Sequence, residues 1–258
     1  MSLDATETYI AKVAEGRIGG ATLKNLLGER ESMSTTASGE DIWRGNDLTP
    51  APTSTTSIPT PSASGEAMSF VCESANDTAA GSGIQEVEFD TLDGDGNEVT
   101  VVKETDGTTP VSLGTSCSFI NGMHSSRVGS GGVSAGHIKV YQTADSGLVY
   151  NMIAAGGNMS LVPVFKVPTG KVMIIYGWHG TEAQNKRCAI RLRSTAIHGA
   201  NAAGIFTFQD TVYLKQSASG HLPCYFRCPA GTIIKVSGWA VVSGAEVGVA
   251  FSGVLKLI

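Results

Sequence analysis

From residue 67 to the C-terminus the sequence alternates short β-prone runs with turn chemistry, and that rhythm admits little except stacked antiparallel sheets. Ala67–Cys72, Ile84–Phe89, Val99–Val102, Ser116–Ile120 and His137–Tyr141 are apolar or β-branched runs of strand length. Ala80-Gly-Ser-Gly83, Asp93-Gly-Asp-Gly-Asn97, Asp106-Gly-Thr-Thr-Pro110 and Gly129-Ser-Gly-Gly132 stand between them, where glycine and short polar side chains make tight turns. A second series follows: Leu161–Val167, Lys171–Tyr176, Cys188–Arg193, Ile205–Phe208, Thr211–Leu214, Thr232–Val236, Trp239–Val242 and Val247–Phe251. Eight such runs suit a jelly-roll-like sandwich, and the earlier set suits another. Charged residues make up only 16% of the chain, against 41% hydrophobic and 32 glycines. That balance excludes a coiled coil or helical bundle and, after residue 66, wholesale disorder. The 258 residues are enough for two cores without a stapling disulfide or metal.

The expected fold is therefore all-β: two consecutive antiparallel β-sandwich, jelly-roll-like domains, over 67–156 and 157–258, with the boundary near Ala154–Gly157. A short N-terminal helical segment over 1–30 and an extended Ser/Thr/Pro-rich arm over 31–66 precede them. Asp4 to Glu7 resembles a capping box, and Ile10, Val13, Ala14 and Ile18 recur at helical spacing. Leu23, Leu26 and Leu27 predict one more helical turn, ending at Gly28. The arm is almost without aliphatic side chains and lacks the apolar content to fold alone. Its exception is Ile42, Trp43 and Arg44, which read either as part of a linker or as an anchor plugged into a partner.

Charge is unevenly placed. Residues 66–110 hold eleven acids and one base, whereas 111–258 hold four acids and twelve bases. Two differently solvated domains would explain this; so would acidic and basic faces that meet, within the chain or between copies. Basic residues do not cluster with interleaved aromatics in the sequence, so no direct nucleic-acid contact is expected. The start lacks a basic region followed by an apolar core, and no apolar run reaches membrane-spanning length, which predicts a soluble protein made in the cytoplasm with no membrane partner. The five cysteines show no paired spacing. Cys224 and Cys228 on one strand would stand about 13 Å apart, too far to bridge, so buried reduced thiols are expected.

Catalytic and metal patterns are sparse. Asp93, Asp95, Asn97 and Glu104 fall at positions 1, 3, 5 and 12 of a calcium-loop count. Yet Glu98 occupies the position where such a loop needs glycine, and strands flank it, so a hairpin turn without metal is expected. His124, His137, His179, His198 and His221 lie singly, and neither a nucleophile elbow nor a phosphate loop is present. No catalytic residue and no cofactor are assigned, and the chain reads as no enzyme. Tyr176-Gly-Trp178-His179 has the composition of a sugar-stacking platform, with core or rim packing as the plainer alternative.

Several of these turns, taken in order, carry a resemblance. Val13 to Gly20, Glu40-Asp-Ile-Trp-Arg-Gly45, Ser74 to Gly83, Leu92 to Asn97, Asp106 to Val111, Phe119-Ile-Asn-Gly122, Gly129 to Gly132 and Val167-Pro-Thr-Gly170 together resemble a group of small virion structural proteins of tailed bacteriophages, many from aquatic hosts. The likeness covers most of residues 10–180. It departs at Val133-Ser-Ala-Gly-His137, where an Asn-Gly turn is expected. The resemblance implies a non-enzymatic virion protein, present in multiple copies on the head or the portal and tail region. Its partners would be copies of itself and major capsid, portal or tail proteins; on the reading of the arm as an anchor, Ile42, Trp43 and Arg44 are the assembly anchor. The alternative is a carbohydrate- or receptor-binding module of the particle, using Trp178 or Trp239 toward a host surface glycan.

Overall fold

The computed structural model describes residues 3–195, 206–215 and 219–258. One helix, α1 (Leu3–Ala14), is followed by β1 (Ala21–Met33) and a two-residue β2 (Glu40–Asp41). Seven strands come next: β3 (Glu66–Cys72), β4 (Ile84–Leu92), β5 (Glu98–Glu104), β6 (Val111–Cys117), β7 (Phe119–Val128), β8 (Ile138–Gln142) and β9 (Asp145–Ile153). The chain closes with β10 (Val164–Lys166), β11 (Lys171–Glu182), β12 (Cys188–Ser194), β13 (Thr207–Leu214), β14 (Ser219–Cys228), β15 (Ile233–Ala240) and β16 (Ala245–Leu257). Every ladder pair among the described residues is antiparallel, as the short turns between strands lead one to expect.

Two sandwiches result. The first stacks a β6-β3-β8-β9 sheet on a β5-β4-β7 sheet, around Phe70, Ile84, Phe89, Ile120, Ile138 and Val140. Phe70 and Phe89 meet at its centre with rings 5.0 Å apart. The second stacks β1-β16-β11-β14 on β10-β15-β12-β13, with β2 added to β15. Its core holds Trp178, Ile190, Leu192, Ile234, Val236 and Phe251.

Residues 21–28 are strand, not helix. The leucines at 23, 26 and 27 have helical spacing, but β1 pairs along β16 from Ala21↔Lys256 to Arg30↔Val247. Leu26, Gly28 and Arg30 then point inward at a period of two. Tertiary pairing outweighs local propensity here. Gly28 serves close approach rather than helix termination, since a Cβ there would lie 2.4 Å from the Pro163 ring. The second sandwich is thus discontinuous. It takes β1 and β2 from the N-terminal segment, and the first sandwich is inserted between them and β10.

Strand boundaries differ from the sequence runs at two further places. The run Ser116–Ile120 divides at Ser118 into the end of β6 and the start of β7. The run Thr211–Leu214 extends back to Thr207 as one strand, accommodated by a bulge between Leu192 and Arg193.

Residues 42–65 form no strand and hold one 3-10 turn at Gly45–Asp47, and they pack along the chain's own body. Thr53 N–H bonds to Gly147 O at 2.9 Å, and Lys139 Nζ donates to Thr49 O and Pro50 O at 3.1 and 3.2 Å. The strap covers the outer face of the β3-β8-β9 sheet, where Tyr141, Val149 and Met152 are buried. Burial on both faces removes the alternation that normally marks a strand: β8 and the second half of β9 are buried almost throughout. A third apolar cluster joins the strap to both sandwiches, through Trp43, Leu48 and Ile58, Leu92 and Phe119, and Val164 and Ile233.

Candidate functional site

The three residues read as an assembly anchor lie at the root of this strap. Trp43 has no exposed surface, and its Nε1–H donates to Thr55 O at 3.1 Å. Its ring lies so close to Gly45 that a Cβ there would sit 2.4 Å from it. Ile42 is equally buried, in the core of the second sandwich. Arg44 is partly exposed and pairs with Asp47 at 2.6 Å and Glu31 at 3.2 Å. Burial works to lower its pKa, yet those carboxylates and Glu29 win, and the net shift is upward. The pocket that holds Trp43 belongs to this same chain.

Buried ionic contacts fix the strap's root. Asp41 Oδ2 accepts from Lys235 Nζ at 2.7 Å and Ile58 N at 3.0 Å, and Oδ1 accepts from Ser237 Oγ at 2.7 Å. Arg30 donates to Glu40 at 2.9 Å, Thr55 O at 2.7 Å and Trp43 O at 3.2 Å. A buried charge is tolerable only when paired and hydrogen-bonded, and these four are.

Beside that root lies the outer face of the β15-β12-β13 layer. Cross-strand register arranges it in rows. Trp239, Ala189 and Tyr213 form one, Ser237, Arg191 and Thr211 the next, and Lys235, Arg193 and Phe208 the third. The Arg191 guanidinium sits 4.3 Å from the Trp239 ring and 4.5 Å from Phe208, and the two rings meet edge to face at 5.5 Å. Among the described residues Arg191 has no carboxylate partner. Arg193 bonds Ser237 Oγ at 3.1 Å, while its Nε is buried without an acceptor among the described residues. Burial pushes the Arg193 pKa down, with Arg191 adding to the effect against the pull of Asp41. Sequence reading missed this face. Alternation along a strand puts Arg191 and Arg193 on one side, but only register brings Trp239 and Phe208 to them.

The opposite electrostatic character appears on the outer face of the β5-β4-β7 sheet. Glu86 lies between Glu104 and Arg127, and Glu88 between Val102 and His124. Arg127 pairs with Glu104 at 2.8 Å, and Glu86 has Ser126 Oγ at 2.7 Å. Lys24 reaches Asp90 at 3.8 Å and Lys171 pairs with Glu98. Acidic and basic segments therefore do meet within the chain, along the seam between sandwiches. A groove of about 340 Å³ opens there, lined by Lys24, Leu27, Asp90, His124 and Met159 among others.

The other sequence candidates have structural roles. Trp178 is buried and donates to Asp210 at 3.1 Å, which removes it as a sugar platform. Asp93 closes the β4–β5 hairpin by accepting from the backbone of Asp95 and Asn97 at 2.9 and 2.8 Å. Glu104 lies at the far end of β5, so the calcium-loop count spans a turn and a strand rather than one cradle. His124 stands 3.8 Å from Glu88, His137 accepts from Ala155 N at 3.1 Å, and His179 is exposed. His198 and the side chains of His221 and Cys224 lie outside the described residues. Cys72, Cys117 and Cys188 are buried thiols. No helix among the described residues is long and apolar enough to cross a membrane.

Three of the motifs that carry the phage resemblance, Ser74 to Gly83, Asp106 to Val111 and Gly129 to Gly132, meet at one end of the first sandwich. Buried Asp77 accepts N–H bonds from Ile84, Ala135 and Gly136 at 2.8, 3.0 and 2.9 Å. Gly107 N donates to Asp77 O at 2.8 Å and Gly129 N to Gly83 O at 2.7 Å. Glycine is required where these backbones touch: a Cβ at Gly129 would lie 2.1 Å from Gly81 O. These three motifs are mutually bonded turns.

No protein-family model matches the chain, and no curated protein sequence matches it significantly. Among solved structures, the chain is similar to the globular domain of zebrafish complement 1qA protein, with 17% identity over 35% of this chain and 67% of that one, at a TM-score of 0.24. It is similar also to infectious bursal disease virus, Gx strain, with 10% identity over 92% of this chain and 72% of that one, at 0.26. For the VP2 subviral particle of the same virus the values are 10%, 97%, 86% and 0.17. Scores this low carry no functional argument.

Proposed function

We propose that the chain is a non-enzymatic virion structural protein of a tailed phage, present in multiple copies on the head or the portal and tail region, where it attaches, decorates or stabilises the particle. Copies of itself and the major capsid, portal or tail proteins are its partners. The ordered turn motifs supply the phage part of this reading. The observation that carries assembly is the open side of the second sandwich. Strands β13 and β14 are the outer strands of their sheets and adjoin each other. Phe208, Tyr213 and Tyr225 stand on them 54%, 77% and 62% exposed. Edges that have no ladder partner on their outer side among the described residues, and that carry exposed aromatics, invite a neighbour.

The carbohydrate-binding alternative draws less support, because Arg191 covers the Trp239 ring and the Gly39 backbone packs against it. A sugar needs a free ring face. The protein profile of purified particles, with electron microscopy of tagged subunits, tests the proposal. Stoichiometric presence at fixed positions supports it; absence from particles, or specific glycan-array binding by the isolated chain, refutes it.

A further inference from the structure

We propose that the outer face of the β15-β12-β13 layer docks on the outer face of the β5-β4-β7 sheet of a second copy, with Arg191 and Arg193 set against Glu86 and Glu88. This rests on the assembly reading and names its contact. The two faces present complementary, incompletely neutralised charge. Glu86 and Glu104 stand directly cross-strand, an arrangement a sheet disfavours unless a cation intervenes. Arg127, the cross-strand neighbour of Glu86 on β7, extends to Glu104 at 2.8 Å, so one guanidinium serves a row of two carboxylates; Glu86 also accepts from the Ser126 hydroxyl, and Glu88 has His124 at 3.8 Å. On the other face Arg191 is held rigid between two rings without an anion among the described residues. A guanidinium already ordered by stacking loses little further freedom on pairing with a carboxylate. Apolar surface accompanies the charge on both sides: Tyr213 and Phe208 on one, and Val102, 46% exposed, on the other.

Different patches of one subunit meet, so the contact is head-to-tail and generates a ring or a filament according to its rotation. Charge pairs of this kind speed and orient encounter, so association should weaken as salt rises. A second copy is favoured over an anionic polymer because the chain itself supplies a matching acidic sheet.

The test is sedimentation velocity of the full chain at low and high salt, with charge-reversed variants Arg191→Glu and Glu86→Lys/Glu88→Lys. Each variant alone should self-associate at least about tenfold more weakly than wild type, since it sets like charges together. An equimolar mixture should regain association, because each reversed face finds its reversed partner. The milder Arg191→Gln, with melting curves alongside, separates lost docking from lost folding. Wild-type association that persists in both reversed variants overturns this contact and leaves assembly through another surface standing. A wild-type chain that stays monomeric and is absent from particles overturns the assembly reading as well. Retention of Arg191-dependent binding to single-stranded nucleic acid or a sulfated glycan, without self-association, overturns the choice of occupant.

Discussion

Replacing Trp43 by Ala should destabilise the folded subunit by about 4 kcal/mol, within the range of roughly 3–5 kcal/mol for emptying a buried large aromatic site. The indole is fully buried and joins the strap, the first sandwich and the second in one cluster. Losing its N–H bond adds little, because Thr55 O keeps the Arg30 guanidinium at 2.7 Å and is not orphaned. Collapse of the cavity is limited, since the strap is pinned on either side by Asp41 and by Thr53. With a urea dependence of about 3 kcal/mol per molar, the midpoint should fall by about 1.3 M. Circular dichroism and fluorescence followed together would also reveal whether the sandwiches now unfold separately, which a lost shared cluster should promote. Trp43→Phe should fall between the two. A midpoint shift below about 0.3 M would refute the reasoning, and the tryptophan would then act outward, on a partner.

Asp41→Ala leaves the buried Lys235 ammonium without its carboxylate and should cost about 3–5 kcal/mol, with new proteolytic cuts between residues 42 and 65; unchanged proteolysis would contradict a latched strap. Burial pushes the Cys72 thiol up to about 12 and Cys188 to about 11, so both should resist alkylation at pH 8 until the chain unfolds; modification at the rate of a free thiol would show otherwise. Glu104→Gln, in an exposed pair, should change stability by no more than about 0.5 kcal/mol, and a chelator should leave the melting temperature unmoved; a drop of several degrees would restore the calcium reading. The N–H donors of Asn97, followed by those of Asp95 and Gly96, hold Asp93 below its ordinary 3.8. Its contribution is therefore present above that value and fades as pH falls through the lowered one, and an NMR titration midpoint at or above 3.8 would contradict this.

What the sequence disclosed and what it withheld divide along one physical line. Turn chemistry is local, so the glycine-rich turns and most strands of both sandwiches were legible. Strand Ala21–Met33 was not, because its partner β16 lies at the other end of the chain and its leucines happen to recur at helical spacing. Strand Asp145–Ile153 was hidden for a different reason: the strap buries its outer face and erases alternation. The isolation of Trp43 reads as linker or as anchor alike, and a lone tryptophan in polar text does not say whose pocket receives it. The Arg191 face needed both register and the fold of three separated strands. Local pattern shows the elements, and only tertiary pairing shows which surfaces remain.

The insertion of one sandwich within the other has a small thermodynamic consequence and a larger geometric one. Pairing Ala21 with Lys256 closes a loop of roughly 235 residues, which costs about 5 kcal/mol beyond a constant on the logarithmic closure relation. Omitting the inserted strands would shorten that loop by roughly 90 residues and save only about 0.4 kcal/mol. An inserted domain is therefore cheap in entropy. Its geometry is more demanding, because β3 and β9 are parallel, two strands apart in one sheet, so the insert is entered at one end and left at the other. The chain must return along the length of the sheet before it enters. The strap makes that passage, from Thr49 beside Glu73 to Thr53 beside Gly147, and its Pro- and Ser/Thr-rich composition suits an extended run without a ladder. Its few apolar side chains fall where the passage crosses the seam, which is why Trp43, Leu48 and Ile58 stand isolated in an otherwise polar stretch. On this account the strap is the part of the subunit that fixes how the two sandwiches sit. At its root the strap also borders the basic face, where Asp41 bonds Lys235 and Ser237.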